Sequence, residues 1–236
     1  MENKRVIILL GPPGAGKNSQ AQLLAEAGGF VNFETSKILE ESFAKASSKS
    51  FVRVAGKNYY LKNEKLLWGK GMLCSPPFVT YLIKEKIKKL FRAGESIVFS
   101  GSPRTLGEAE ELVPLLERLY GKKEIKVIFI DIPPEETIAR NSKRRICSLM
   151  RHSIIYSEET KNLTRCPLDG SKLITRKGLD DPQTIKVRLK EFKERTFPLI
   201  EYLRKRGLVV KKVNGVGSVA EVFERIKKAL KFPNLK

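Results

Sequence analysis

The chain lacks any apolar run near the roughly 18 residues that a membrane-spanning helix requires, and it has no internal repeat or low-complexity tract. Its opening residues, MENKRVIILLGPPG, are too short in their apolar part, and too polar before it, to read as a signal peptide. A cytoplasmic setting is the expectation, with no membrane partner. Cysteine is scarce: Cys74, Cys147 and Cys166 cannot make a disulfide framework, which fits a reducing compartment. Acidic residues are also in short supply. Asp and Glu total 26 against 46 Lys and Arg, a formal charge of +20 over 236 residues. Such a surplus favours anionic partners, but a lysine-rich solvated surface has the same composition. Charge alone does not separate a nucleotide enzyme from a nucleic-acid binder.

What is present reads as a soluble globular α/β chain. Short apolar runs at 5–10, 30–33, 96–100, 126–132 and 208–213 predict buried parallel strands. Segments 19–27, 36–46, 78–92, 108–120, 135–145, 183–205 and 219–230 carry helical spacing, with a break expected at Pro198. Strands alternating with helices predict a doubly wound parallel five-stranded sheet, whose ligands bind beyond the carboxyl ends of the strands. Gly11 onward, Thr35, Gly101 onward and Asn214 are then expected around one crevice. Two stretches interrupt the alternation. Residues 51–62 (FVRVAGKNYYLK) suggest a small hairpin, and 147–174 lose the period and turn polar.

The first strand runs into GPPGAGKNSQ. Glycine lets backbone N–H groups close on phosphate oxygens that side chains would keep away. The following helix contributes the positive end of its dipole, Lys17 a mobile ammonium, and Ser19 a hydroxyl for Mg²⁺. Gly11, Pro12, Pro13, Gly14, Ala15, Gly16, Lys17, Asn18 and Ser19 are thus the expected ATP-binding loop. The alternative is a plain glycine turn joining strand to helix.

The spelling after the lysine is informative. Asn18 takes the usual Ser/Thr place, and the hydroxyl follows one residue later. This resembles the adenylate kinase family, in which Lys-Gly-Thr-Gln stands where Lys17-Asn18-Ser19-Gln20 stands here. Other stretches resemble it in order: Gly101-Ser102-Pro103-Arg104-Thr105 for Gly-Phe-Pro-Arg-Thr, 132–145 for the helix entering the lid, Arg176 with Asp180, Asp181 and Arg188 for the segment leaving it, and Asn214-Gly215 with Val219 for the last turn. The resemblance implies a P-loop kinase fold with a core at 1–35, 80–146 and 175–236, an acceptor-binding insert at 36–79 and a lid at 147–174. It implies transfer of the γ-phosphoryl group of ATP, with Mg²⁺, to AMP or another nucleoside monophosphate by a monomer. Guanidiniums suit the task because their planar fork holds phosphate oxygens and keeps its charge. By resemblance Arg104 holds the acceptor phosphate, and Arg144, Arg176 and Arg188 surround the migrating group. Arg140 and Gly217 meet the ATP base. Thr35, Lys37, Cys74, Gly101 and Glu108 line the acceptor site, although Cys74 reads most simply as a small buried residue.

The pattern breaks in places. Thr-Gly-Asp-x-x-Arg is replaced by Thr35-Ser36-Lys37-Ile38-Leu39-Glu40, which puts a carboxylate where an arginine would grip the acceptor phosphate. Lys37 is expected either to neutralise Glu40 or to take the phosphate itself. An acidic residue near Mg²⁺ is replaced by Ser100. These losses raise the alternative of a nucleotide-binding relative with weakened transfer. Glu108 stands where the family has glutamine. A carboxylate only accepts hydrogen bonds, which suits guanine better than adenine; a plain helix start is the other reading.

In the insert, Phe51, Tyr59 and Tyr60 interleave with Arg53, Lys57 and Lys62. Such interleaving can bind single strands, but core packing is expected of these aromatics and nucleic acid is not the expected partner. In the lid, Cys147-x4-His152 and Cys166-x2-Asp169 resemble the four-cysteine zinc site of some family members, with imidazole and carboxylate in place of two thiolates. A metal-free lid held by hydrogen bonds is the alternative.

Overall fold

A computed structural model describes residues 4–44, 46–47, 49–69, 74–150, 152–156, 158–175 and 182–231. Its centre is a five-stranded sheet of β1 (Val6–Leu10), β2 (Phe30–Phe33), β5 (Ser96–Phe99), β6 (Ile125–Asp131) and β10 (Val210–Asn214). The spatial order is β10-β6-β1-β5-β2, with every pairing parallel. The expected doubly wound sheet is present. β1 is buried along its whole length, as a central strand covered on both faces must be. Its alternate residues feed two cores. Ile8 and Leu10 join Phe33, Phe99, Leu112 and Leu116 on one face, while Ile7 and Leu9 join Leu24, Ile128, Val213 and Ile226 on the other.

Helices α1 (Lys17–Gly28) and α9 (Val219–Leu230) cover the second face. α4 (Pro76–Arg92), α5 (Leu106–Tyr120) and α8 (Pro198–Lys205) cover the first. α9 starts at a capping box, in which the Ser218 hydroxyl accepts from Glu221 N and the Glu221 carboxylate accepts from Ser218 N. The expected break near Pro198 takes a definite form. α7 (Pro182–Glu191) runs into a π-helical turn over 192–196 before α8 begins.

The final strand starts at Val210 rather than Leu208. Gly207 follows α8 with φ +74°, and Leu208 N donates back to Leu203 O at 2.9 Å, so Leu208 closes the helix and drops into the core.

The insert holds α2 (Thr35–Ala44), the hairpin β3 (Phe51–Val54) and β4 (Lys57–Tyr60), and α3 (Leu61–Gly69), a helix not expected from the sequence. Its core is Leu39, Phe43, Leu61, Cys74 and Phe78. Phe78 lies on α4, whereas Ile83 and Ile87 further along α4 belong to the main core. The boundary expected at 79/80 therefore falls inside one continuous helix. The lid follows α6 (Pro134–Ser142) and forms a small antiparallel sheet of β7 (Arg145–Cys147), β8 (Ser153–Ile154) and β9 (Leu173–Ile174), with β7 in the middle. Among the described residues no helix is long and apolar enough to cross a membrane.

Candidate functional site

Because all five strands run the same way, their carboxyl ends meet at one edge of the sheet. The residues after β1, β2, β5, β6 and β10 are the glycine loop, Thr35, Ser100-Gly101, Ile132 and Gly215. The Thr35 and Ser102 hydroxyls lie 2.8 Å apart and tie the end of β2 to that of β5.

The glycine loop needs its glycines at two places in particular. A Cβ on Gly11 would sit 2.3 Å from Ile130 O of β6, and one on Gly14 would sit 2.5 Å from Asn141 Nδ2. Gly16 has φ +82° and faces open space. It turns the chain into α1, whose first residue is Lys17. The Lys17 ammonium donates to Gly11 O at 2.7 Å and Pro12 O at 2.9 Å and so lies folded back along the loop. Its pKa is lowered from 10.5 to about 7, chiefly by burial and then by the nearby positive charges of Arg104 and Arg188. The positive charges of Arg104, in the β5–α5 loop, and Arg188, on α7, thus both act on Lys17 at the start of α1.

Arg104 is held in place by its own surroundings. Its Nε donates to Gly101 O at 2.5 Å, its backbone N–H to Glu108 Oε2 at 2.7 Å, and its carbonyl accepts from the Thr196 hydroxyl at 2.8 Å. Glu108 therefore spends one carboxylate oxygen on the Arg104 backbone. Burial pushes the Glu108 carboxyl above its ordinary range, opposed by the Arg104 N–H and then the Arg104 charge.

Arg140 reaches across the other side. Its Nε pairs with Glu136 at 2.6 Å, and its terminal nitrogens donate to Gly14 O at 3.5 Å, Gly215 O at 3.0 Å and Gly217 O at 3.5 Å. The last turn stays close because Gly215 presses on β6, its N–H donating to Asp131 O at 2.8 Å. Of the Arg144–Arg145 pair, Arg145 binds Leu163 O and Thr160 O within the lid. Arg144 lies at the junction of α6 and β7. Arg176, Asp180 and Asp181 lie outside the described residues.

The structure bears on two acceptor-side residues. Lys37 does not neutralise Glu40; it pairs with Glu34 at 2.8 Å, and Asn32 also contacts Glu34. Cys74 is buried in the insert core, its thiol directed to Glu64 O at 3.6 Å. Asp131 does not replace the acid missing at Ser100, since it pairs with Lys212 at 2.7 Å. Sequence reasoning missed Glu64, a buried carboxylate that accepts from both Ser75 N and Ser75 Oγ at 2.8 Å and pins α3 to the start of α4.

A profile of the family described as Adenylate kinase matches residues 9–208. The chain belongs to the adenylate kinase family. Relatives described as adenylate kinase include those of Methanothrix thermoacetophila, 34% identical over 95% of this chain and 97% of the relative, and Caldicellulosiruptor bescii, 33% identical over 95% and 98%. That of Thermus thermophilus is 31% identical over 98% and 99%. This member is accordingly an ATP-dependent phosphotransferase of the nucleoside monophosphate kinase type, and ATP with Mg²⁺ is the donor that the family uses.

The kinase's lid brings the four suspected metal ligands together. The donor atoms of Cys147, His152, Cys166 and Asp169 all lie within 4.8 Å of one another. A tetrahedral Zn²⁺ with sulfur at ~2.3 Å and nitrogen or oxygen at ~2.0–2.1 Å sets S···N edges of about 3.5 Å and N···O edges of about 3.3 Å. His152 Nδ1 is 3.6 Å from Cys147 Sγ, 3.5 Å from Cys166 Sγ and 3.3 Å from Asp169 Oδ2. Cys147 Sγ to Asp169 Oδ2, at 3.0 Å, is tighter than the S···O edge of such a site, because a thiol donates a hydrogen bond there. That bond, with further ones from Ser171, holds the Asp169 carboxyl well below its usual range. The residues fit the ion.

Proposed function

We propose that this kinase phosphorylates a nucleoside monophosphate held at Arg104, with the ATP phosphates in the 11–19 loop. The acceptor phosphate oxygen bonds to the γ-phosphorus as the bond to the β,γ-bridging oxygen breaks, and ADP leaves with that electron pair. Little covalent work falls to the protein; it must align two anions and spread their charge. Lys17 takes β and γ oxygens once a nucleotide draws it from the Gly11 and Pro12 carbonyls. Arg188 and Arg144 face the migrating group, and Arg140 sits beside the base. Ser19 would offer a hydroxyl to Mg²⁺ arriving with ATP, and the ion would supply neutralisation of the developing phosphate charge. Closure of insert (36–79) and lid (147–174) over the crevice excludes water, which would otherwise accept the phosphoryl group.

The observation that carries this reading is the convergence of Lys17, Arg104 and Arg188. A coupled assay with ATP, Mg²⁺ and each of AMP, GMP, CMP and UMP tests it. Diphosphate formation that falls by about a thousandfold in Arg104→Ala supports it; ATP binding with no diphosphate from any acceptor refutes it.

Glu108 bears on the acceptor. One of its carboxylate oxygens is taken by Arg104 N, and the other accepts only, so the site favours a base that presents N–H donors, as guanine does. Because Lys37 is engaged with Glu34, the acceptor phosphate relies chiefly on Arg104, and weak acceptor binding is expected. We also assign zinc to Cys147, His152, Cys166 and Asp169, where it would tie β7, β8 and the 166–170 turn into one rigid lid. Metal analysis of untagged protein is expected to return about one zinc per chain; none would refute the assignment.

A further inference from the structure

Among the described residues the β3–β4 hairpin packs only one of its faces. Its register is Phe51↔Tyr60, Val52↔Tyr59, Arg53↔Asn58 and Val54↔Lys57. Side chains alternate along a strand, so Val52 and Tyr59 share one face and Phe51, Arg53, Asn58 and Tyr60 share the other. The first face rests on the insert core, where Tyr59 stacks on Phe78 with ring centroids 6.4 Å apart. The second is open: Phe51 is 49% exposed and Tyr60 46%, with ring centroids 5.8 Å apart at an interplanar angle of 56°. The sequence reading gave these aromatics one common role, whereas the register divides them. Ala55 at φ +49° and Gly56 at φ +82° make the two-residue turn that fixes this register.

The hairpin and its flanks in sequence carry no negative charge: no acidic residue occurs from Ser42 to Asn63. Arg53 lies on the open face and Lys49 and Lys62 flank the hairpin, while Lys57 turns to the other face, its ammonium over the Tyr59 ring. No residue of the hairpin belongs to the phosphate site. Two half-exposed rings present ~200 Å² of apolar surface, well below the ~800 Å² per partner of a stable protein interface. They are set among cations, as a polyanion with flat apolar faces would require.

We propose that the outward face of the β3–β4 hairpin binds single-stranded RNA. Bases stack on Phe51 and Tyr60, which accept any base because every base has a π-face. Arg53 and the flanking lysines meet the phosphates, and the Asn58 amide beside Arg53 offers a donor and an acceptor to a ribose 2′-hydroxyl. This site is separate from phosphoryl transfer and does not depend on the acceptor assignment.

The test is fluorescence anisotropy of a short labelled oligouridylate, with wild type and Phe51→Ala/Tyr60→Ala, at about 0.15 M salt. The double variant is expected to bind at least about tenfold more weakly while phosphoryl transfer, measured on the same preparation, is unchanged. Arg53→Ala is expected to lower the slope of log affinity against log salt by about 0.7, as for one lost phosphate contact on a single strand. Phe51→Leu/Tyr60→Leu keeps apolar bulk and removes the π-faces; it must show the same loss, and it decides the matter if the alanine pair fails to fold. Equal affinity in wild type and leucine pair overturns the proposal, because binding would then be the nonspecific pull of a +20 chain. Oligodeoxythymidylate or duplex RNA binding as tightly as oligouridylate overturns it as well. So does a wild-type dimer that the leucine pair dissociates.

Discussion

Lys17 offers the sharpest quantitative prediction. In the empty crevice its pKa lies near 7, lowered by burial and by Arg104 and Arg188. A polyphosphate among the three cations reverses the last two causes and returns the ammonium toward 10.5. Binding of ATP above neutral pH must therefore take up a proton. From a pKa of about 7, the charged fraction in the empty site falls from about one half at pH 7 to about 3% at pH 8.5, so ATP affinity falls about 16-fold over that interval. At pH 8.5 the uptake approaches one proton per ATP. Calorimetry in two buffers of different ionisation heat counts it directly, with Lys17→Met as reference. The variant is expected to take up about one proton fewer and to lose the pH dependence. Equal proton counts in wild type and variant at pH 8.5 would refute the reasoning. The sign for stability follows from the same shift. Between about pH 7 and 10.5 the unfolded chain binds more protons at this lysine than the empty folded chain, so its contribution makes the nucleotide-free protein more stable as pH rises through that window.

Gly11→Ala is expected to cost about 2–4 kcal/mol, since its Cβ would meet the Ile130 carbonyl, a backbone atom in mid-sheet, at 2.3 Å; chemical denaturation showing a loss below ~0.5 kcal/mol would contradict the close approach of β1 to β6. Glu40→Arg, which restores a cation where Lys37 is occupied by Glu34, is expected to lower the acceptor KM about fivefold or more with little change in kcat; an unchanged KM would place residue 40 away from the acceptor phosphate. Glu108→Gln is expected to shift preference from GMP toward AMP by about tenfold in the ratio of kcat/KM, and identical ratios in both proteins would show that Glu108 does no more than start α5. Asp169→Asn is expected to weaken zinc retention in competition with a chelator by about tenfold or more, while retention equal to wild type would remove the carboxylate from the ligand set.

Much of the sheet was legible because a central parallel strand is buried on both faces and appears as an unbroken apolar run. Residues 6–10 and 127–130 are of this kind. The glycine loop was legible because its spacing is dictated by backbone approach, and Gly11 and Gly14 show that constraint in three dimensions. α3 was not legible. It is short and lysine-rich, and Leu66 and Trp68 remain exposed, so its apolar residues do not mark one buried face. Glu64 escaped notice because its partner, Ser75, meets it only after the chain has turned back. Lys37 had carboxylates three residues away on either side. The choice of Glu34 depends on the end of β2, where Asn32 also engages that carboxylate. The lid strands span two or three residues each, too few to establish an alternation.

Arg140 links Gly14 in the first loop to Gly215 and Gly217 in the last turn, about two hundred residues further along. One side chain thus sets the width of a slot whose walls come from the two ends of the chain. That spacing is established while the protein folds, before any nucleotide arrives, so the entropy of bringing the walls together is charged to folding and not to binding. Trimming the arginine to alanine would leave every phosphate contact intact and still weaken ATP, because the incoming base would have to gather the two walls itself.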